Sequence, residues 1–223
     1  MTVAERALAM IEDNAAIGLG TGRAATEFVK TLGLRVREGL RVRGVPTSAA
    51  TAELARELGI PLTTLDQSGE LEVTFDGADE VDPNLDLIKG YGGALVREKI
   101  VAASSKRLVI LVGPGKEVGT LGGHGKLPVE VVPFGVPLAR RRLAALGFPP
   151  IVRHAADGHD FLTDNGNIIL DCHVAAIQDP AALERSILDI PGVVGTGLFI
   201  GMAHTVLIQA EDGSVTVRTR DRP

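Results

Sequence analysis

The chain alternates short apolar runs with segments of helical spacing. Residues 3–12 predict an amphipathic helix. Residues 15–19 read as a strand that runs into Gly20-Thr21-Gly22 and a helix over 23–32. A second unit follows, with a strand over 41–45, the turn Pro46-Thr47-Ser48 and a helix to about Leu58. Strands are then expected near 62–65 and over 71–75, a helix over 94–103 and a strand over 108–112. Strands alternating with helices imply a parallel sheet with right-handed crossovers.

The rhythm changes after Lys126. Strands are expected at 129–132, 151–153, 160–163, 168–172 and 193–196, with helices at 138–146 and 180–188. Asp164-Asn165-Gly166-Asn167 joins two of these strands, and Asn-Gly is a strong hairpin signal. The order β-α-β-β-α-β is that of a ferredoxin-like unit. Two further strands, 205–209 and 214–218, flank Glu211-Asp212-Gly213 and are expected to return to the first sheet. The expected organisation is one α/β domain over 1–126 plus 197–223, with a ferredoxin-like α+β domain inserted over 127–196.

Composition narrows the function. The 223 residues carry 23 basic and 28 acidic side chains, a net charge of -5. A basic excess for nucleic acid is missing, as is a polybasic membrane patch. Aromatic residues are 3% of the chain, too few for stacking platforms. The N-terminus lacks a signal-peptide core, no long apolar run is present, and a cytoplasmic location is expected. The single cysteine, Cys172, excludes an internal disulfide and reads as a small buried hydrophobe. The five histidines are scattered, so no metal site is expected.

The chemistry concentrates in glycine-rich turns before helices. Gly18-Leu19-Gly20-Thr21-Gly22 ends a strand and opens a helix, where backbone N–H groups and the helix dipole favour an anion. The G-x-G-x-x-G frame fails at Arg23, so the loop is an anion turn or a plain tight turn, not a dinucleotide site. Asp76-Gly77-Ala78-Asp79-Glu80 follows a strand, where open α/β sheets place ligands. Lys89 is the nearest candidate cation for those acids. Lys89-Gly90-Tyr91-Gly92-Gly93-Ala94 precedes another helix, and Arg97-Glu98-Lys99 lies one turn into it. Lys116, in Gly113-Pro114-Gly115-Lys116, follows a strand and reads either as a phosphate-binding cation or as an ordinary surface lysine.

Together with Gly195-Thr196-Gly197-Leu198-Phe199, these motifs occur in an order that closely resembles ribose-5-phosphate isomerase type A. The resemblance spans essentially the whole chain and extends to Leu127-Pro128-Val129-Glu130-Val131-Val132-Pro133 and Thr163-Asp164-Asn165-Gly166-Asn167. It implies a Rossmann-like parallel-sheet domain and a cofactor-free aldose–ketose isomerase acting on a phosphorylated pentose. By the resemblance, Glu98 matches the catalytic base, Asp76 and Asp79 the acids that hold sugar hydroxyls and assist ring opening, and Lys89 the lysine beside the reacting carbons. Thr21, Gly22, Arg23 and Ala24, with Gly77, Ala78, Gly90, Tyr91, Gly92 and Lys116, fall at the substrate-binding positions. A homo-oligomer, dimer or tetramer, is implied as well.

The chain departs from the family at three places. Arg23-Ala24 replace a Ser-Thr pair, Gly113-Pro114-Gly115 replaces a stretch that supplies an Asp and a hydroxyl, and Tyr91 replaces a smaller residue. The Arg23 guanidinium is expected to take over phosphate contact from the missing hydroxyls, with an ion pair to Glu27 as its alternative. The competing readings are an amino-sugar phosphate deaminase, a sugar-phosphate sensor and an inactive paralogue. A sensor can dispense with Glu98, which this chain retains.

Overall fold

A computed structural model describes residues 1–220. Asp221–Pro223, which the sequence reading assigns to the first domain, lie outside the described residues. The strands in chain order are β1 Ala15–Leu19, β2 Val42–Pro46, β3 Val73–Gly77, β4 Glu80–Val81, β5 Leu87–Ile88, β6 Leu108–Val112, β7 Lys126–Val131, β8 Pro150–Val152, β9 Ile168–His173, β10 Val193–Thr196, β11 Leu198–Phe199, β12 Thr205–Gln209 and β13 Val215–Thr219. The helices are α1 Val3–Leu8, α2 Arg23–Arg37, α3 Ala49–Glu57, α4 Leu65–Ser68, α5 Leu95–Ala103, α6 Val136–Ala145 and α7 Pro180–Leu188. Two compact units result. One comprises Met1–Ala78, Arg97–Lys116 and Gly201 onward, the other Asp79–Val96 and Glu117–Ile200.

In the first unit β2-β1-β3-β6-β12 form a parallel run, closed on one edge by antiparallel β13. Both tail strands thus return to the first sheet, as expected. Every residue of β6 is buried, as a central parallel strand requires. α2 packs on the sheet through Ala25, Phe28, Val29, Leu32 and Gly33, the i, i+3, i+4, i+7, i+8 stripe of an amphipathic helix. The Phe28 and Phe75 rings meet with centroids 4.5 Å apart. α2 runs to Arg37 rather than 32 and stops before Gly39, whose φ of 109° favours glycine. The strand expected at 62–65 is only a bridge from Leu62 to Gly44, followed by α4. The ladder to β2 stops after two hydrogen bonds, because the next donor on β2 would be Pro46, which has no N–H.

In the second unit β10-β7-β9-β8 form an antiparallel sheet. Numbered within this sheet, that order is 4-1-3-2, the ferredoxin-like arrangement that the chain order predicted. Leu127, Val129 and Val131 of β7 and Ile168, Leu170 and Cys172 of β9 alternate into one core with Ala139, Leu143 and Ile187 from α6 and α7. Burial pushes the Cys172 thiol up to about 12, as befits a core hydrophobe. The strand expected at 160–163 is reduced to bridges from Asp160 to His154 and from Leu162 to Ile168. Its polar end is engaged elsewhere: Thr163, Asn165 and Asn167 all donate to Oε1 of buried Glu130. The turn itself is as expected, with Gly166 at φ 74°. A small antiparallel sheet, β11-β5-β4, was not foreseen, because two-residue strands carry no readable periodicity.

Among the described residues no helix is long and apolar enough to cross a membrane.

Candidate active site

The parallel sheet reverses its strand order around β1, which lies between β2 and β3. Ligands of open α/β sheets bind at the carboxyl ends of strands flanking such a switch point. The Gly20-Thr21-Gly22 loop leaves β1 there, Thr47-Ser48 leaves β2, and Asp76-Gly77-Ala78 leaves β3. Asp76 is 1% exposed. Its Oδ1 accepts from the Thr21 N–H at 3.1 Å and from the Gly77 N–H at 2.7 Å. Gly20 is necessary for that approach: a Cβ on it would lie 2.2 Å from Asp76 Oδ1 and 2.6 Å from its Cα.

The Thr21 hydroxyl is fastened by a group that the sequence reading left unassigned. It lies 2.8 Å from Thr47 Oγ1, 2.8 Å from Ser48 Oγ and 3.2 Å from Thr51 Oγ1. Thr51 in turn donates to the Gly20 carbonyl. The available signal was a Thr-Ser pair directly after β2, with Ser48 as N-cap of α3. Gly22, at φ 102°, turns the chain into α2. Ala24 packs towards the core, so only its backbone faces the loop. Arg23 is exposed and makes no hydrogen bond or ion pair among the described residues. The alternative pairing with Glu27 is not formed, since Glu27 holds Lys30 at 2.8 Å.

Glu98 is 3% exposed in the first turn of α5, where the helix dipole favours a carboxylate. Val101, on the same helical face, is anchored in a buried cluster with Ala16, Val45 and Leu71. Gly18 permits this packing, because a Cβ there would lie 2.7 Å from Val101 Cγ1. Glu98 therefore does not lie on a solvated helix face. Lys116 stands half-buried in the loop after β6.

The second unit carries Asp79, Lys89 and the Gly90–Gly93 turn. Asp79 Oδ2 accepts from the Tyr91 N–H at 2.9 Å. Lys89 is 2% exposed, and its Nζ lies 5.4 Å from the centroid of the Phe199 ring. Its backbone N–H donates to Gly197 O, and a Cβ on Gly197 would lie 2.4 Å from Lys89 O. The Gly-Leu-Phe motif thus supports Lys89 by letting β11 run against β5. Gly92 is exposed, and Gly93 closes the turn by donating to Gly90 O. The Tyr91 ring turns towards Lys126, whose Nζ stands 4.1 Å from its centroid, and burial raises the phenol well above its ordinary range. Glu80, the last acid of its motif, is structural: it is fully buried and accepts from the Gly122 and His124 N–H groups. Among the described residues no cluster of three or more His, Cys, Asp or Glu is arranged to hold a metal ion.

A buried Asp76 and the Gly20–Gly22 turn thus meet at the switch point of a parallel α/β sheet, where open sheets of this kind bind ligands. The comparisons are narrower. The family model for ribose 5-phosphate isomerase A (phosphoriboisomerase A) matches residues 43–213. A ribose-5-phosphate isomerase A of Roseiflexus castenholzii is 55% identical over 220 residues, 98% of this chain and 94% of that protein. The solved ribose 5-phosphate isomerase A of Methanocaldococcus jannaschii superposes with a TM-score of 0.93 at 40% identity, over 98% of this chain and 96% of that one. A D-ribose-5-phosphate isomerase solved in complex with phospho-erythronic acid gives a TM-score of 0.93 at 38% identity, over 97% and 96% of the two chains. The chain belongs to the ribose 5-phosphate isomerase A family.

Replacing Gly20 by Ala tests the approach on which Asp76 depends. The added Cβ forces Asp76 to move, and overpacking of this kind costs ~1–3 kcal/mol. Thermal unfolding should fall by several degrees. An unchanged melting temperature would mean that Asp76 is not held as described.

Proposed function

We propose that this protein interconverts D-ribose 5-phosphate and D-ribulose 5-phosphate by proton transfer through an enediolate. One observation carries the reading: Glu98 is a buried carboxylate on a rigid helical turn, anchored through Val101 rather than solvated. Membership of the family and the relative's complex with phospho-erythronic acid support a phosphorylated sugar as ligand.

The residues divide the work. Asp76 and Asp79 hold sugar hydroxyls and move protons between the ring oxygen and the anomeric hydroxyl, which opens the ring. Glu98 then takes the proton from C2 of the open aldose. The C2–H electron pair becomes the C1–C2 double bond, and the aldehyde oxygen takes the negative charge. Lys89 and the N–H groups of the Gly90–Gly93 turn stabilise that charge as it develops. Glu98 returns the proton to C1, a proton passes from O2 to O1, and the ketose results. A positioned base of this kind contributes ~10²–10⁴ in rate.

The phosphate is assigned to the Thr21–Ala24 loop at the N-terminus of α2, with Lys116 and Arg23 as cations. Gly77, Ala78, Tyr91 and Gly92 are assigned to substrate binding by their positions in the family motifs. Holding the phosphate fixes the sugar against Glu98 and lowers the entropic part of the barrier. Arg23 suits this role because it is exposed and has no protein partner among the described residues. We assign the protein to the cytoplasm as a homo-oligomer without cofactor, nucleic-acid partner or membrane attachment.

Glu98→Gln should lower kcat by at least ~10²-fold while the melting temperature stays near that of the parent. Turnover of ribose 5-phosphate at the parental rate in this variant would remove Glu98 as base. Arg23→Ala should raise KM several-fold or more, since charged hydrogen bonds contribute ~1.5–3 kcal/mol. Its kcat should change less, because the phosphate is remote from the transferred proton. An unchanged KM would show that the guanidinium does not bind phosphate.

A further inference from the structure

Arg153 lies in the second unit, one residue beyond β8, outside every motif that carries the family resemblance. Its side chain is 11% exposed and makes four hydrogen bonds. Nε donates to Asp171 Oδ2 at 2.9 Å and one terminal nitrogen to Asp171 Oδ1 at 2.5 Å, a bidentate pair. The other terminal nitrogen donates to two consecutive carbonyls of the glycine turn, Gly90 O at 2.9 Å and Tyr91 O at 3.1 Å. The Phe161 ring stands 5.9 Å from the guanidinium carbon and seals the end of the turn, where a Cβ on Gly93 would lie 2.5 Å from it. Asp171 is braced on its other side by Lys126 at 3.8 Å.

A planar trans peptide points its C=O and N–H in opposite directions. Arg153 therefore sets the N–H that belongs to each carbonyl it holds. The Gly90 carbonyl shares its peptide with the Tyr91 N–H, which points away from Arg153 and meets Asp79 Oδ2. The Tyr91 carbonyl shares its peptide with the Gly92 N–H, which is directed the same way by the same geometry. Gly92 is exposed, and its N–H donates to no protein acceptor among the described residues. An arginine is needed for this task, since only a planar fork can bind a carboxylate with one edge and carbonyls with another.

We propose that Arg153, oriented by Asp171, is a positioning residue that aims the Gly92 N–H at the oxygen on which negative charge develops. It touches neither substrate nor reacting atoms. The claim rests on the reading of the Gly90–Gly93 turn as the enediolate-stabilising element.

The test uses Arg153→Lys and Asp171→Asn in the full chain. The first retains a cation but loses the fork, and the second retains shape but loses the bidentate charge. Loss of an oxyanion donor costs ~10²–10³ in kcat, and misaiming one should cost about 10- to 100-fold. KM for ribose 5-phosphate and the affinity for inorganic phosphate should stay within about threefold of the parent, and a phosphorylated hydroxamate that mimics the enediolate should bind weaker by the same factor as kcat falls. A merely structural arginine would weaken all three alike. Should Arg153→Lys not fold, the near-isosteric Asp171→Asn decides by the same readouts. Folded variants with parental kcat and hydroxamate affinity overturn the proposal, as does a loss shared equally with inorganic phosphate. If the parent protein itself does not isomerise ribose 5-phosphate, the functional reading fails. The positioning claim is then decided by amide hydrogen exchange at Tyr91, which is faster in the variants if Arg153 holds the turn and unchanged if it does not.

Discussion

The first unit depends on one close approach. The backbone at Gly20 passes so near Asp76 that no side chain fits between them, and the Thr21 and Gly77 N–H groups converge on one carboxylate oxygen. A buried carboxylate is costly unless it is hydrogen-bonded. The parallel pairing of β1 with β3 supplies those donors from the two loops that must be adjacent at a switch point. The Thr47, Ser48 and Thr51 hydroxyls then hold Thr21 from the β2 side. Three strand ends are thus tied into a single polar network, which holds the Gly20–Gly22 turn at the start of α2.

The second unit solves a related problem with different means. Its glycine turn has two carbonyls facing away from Asp79, and these need donors that a short loop cannot supply. The ferredoxin-like sheet provides them, because β8 and β9 pair so that Asp171 and Arg153 lie close enough for a bidentate ion pair. Lys89 is steadied by the small sheet, where Gly197 admits β11 against its backbone and Phe199 offers a ring to its ammonium. Residues far apart in sequence therefore orient each short glycine segment.

Much of this was legible in the chain. The alternation of strands and helices, the return of 205–209 and 214–218 to the first sheet and the Asn165-Gly166 turn follow from local patterning and glycine conformation. The acids at 76 and 79 stood out because they follow a strand of a parallel sheet, whereas Glu98 was singled out only by the family resemblance, since an Arg-Glu-Lys triplet alone reads as a solvated helix face. What local pattern did not disclose is long-range. A two-residue strand such as β4 has no period, and the bridge at Leu62 replaces a strand because Pro46, opposite it on β2, cannot donate. The hydroxyl group around Thr21 and the grip of Arg153 on the glycine turn arise only when β1 meets β2 and β8 meets β9. Arg23 is the converse case. Its two expected partners were a phosphate and Glu27, and among the described residues the pair with Glu27 is not formed because Glu27 holds Lys30.

The central claim is that a protein carboxylate carries the proton between adjacent carbons of an open-chain sugar phosphate. The most direct measurement follows purified protein with ribose 5-phosphate in heavy water by proton NMR, in the presence of a chelator. The account predicts that ribulose 5-phosphate forms without added metal or nucleotide and that a fraction of it carries deuterium at C1, washed in while the proton resides on Glu98. Turnover that requires a divalent ion, or no ribulose 5-phosphate at all, would contradict it.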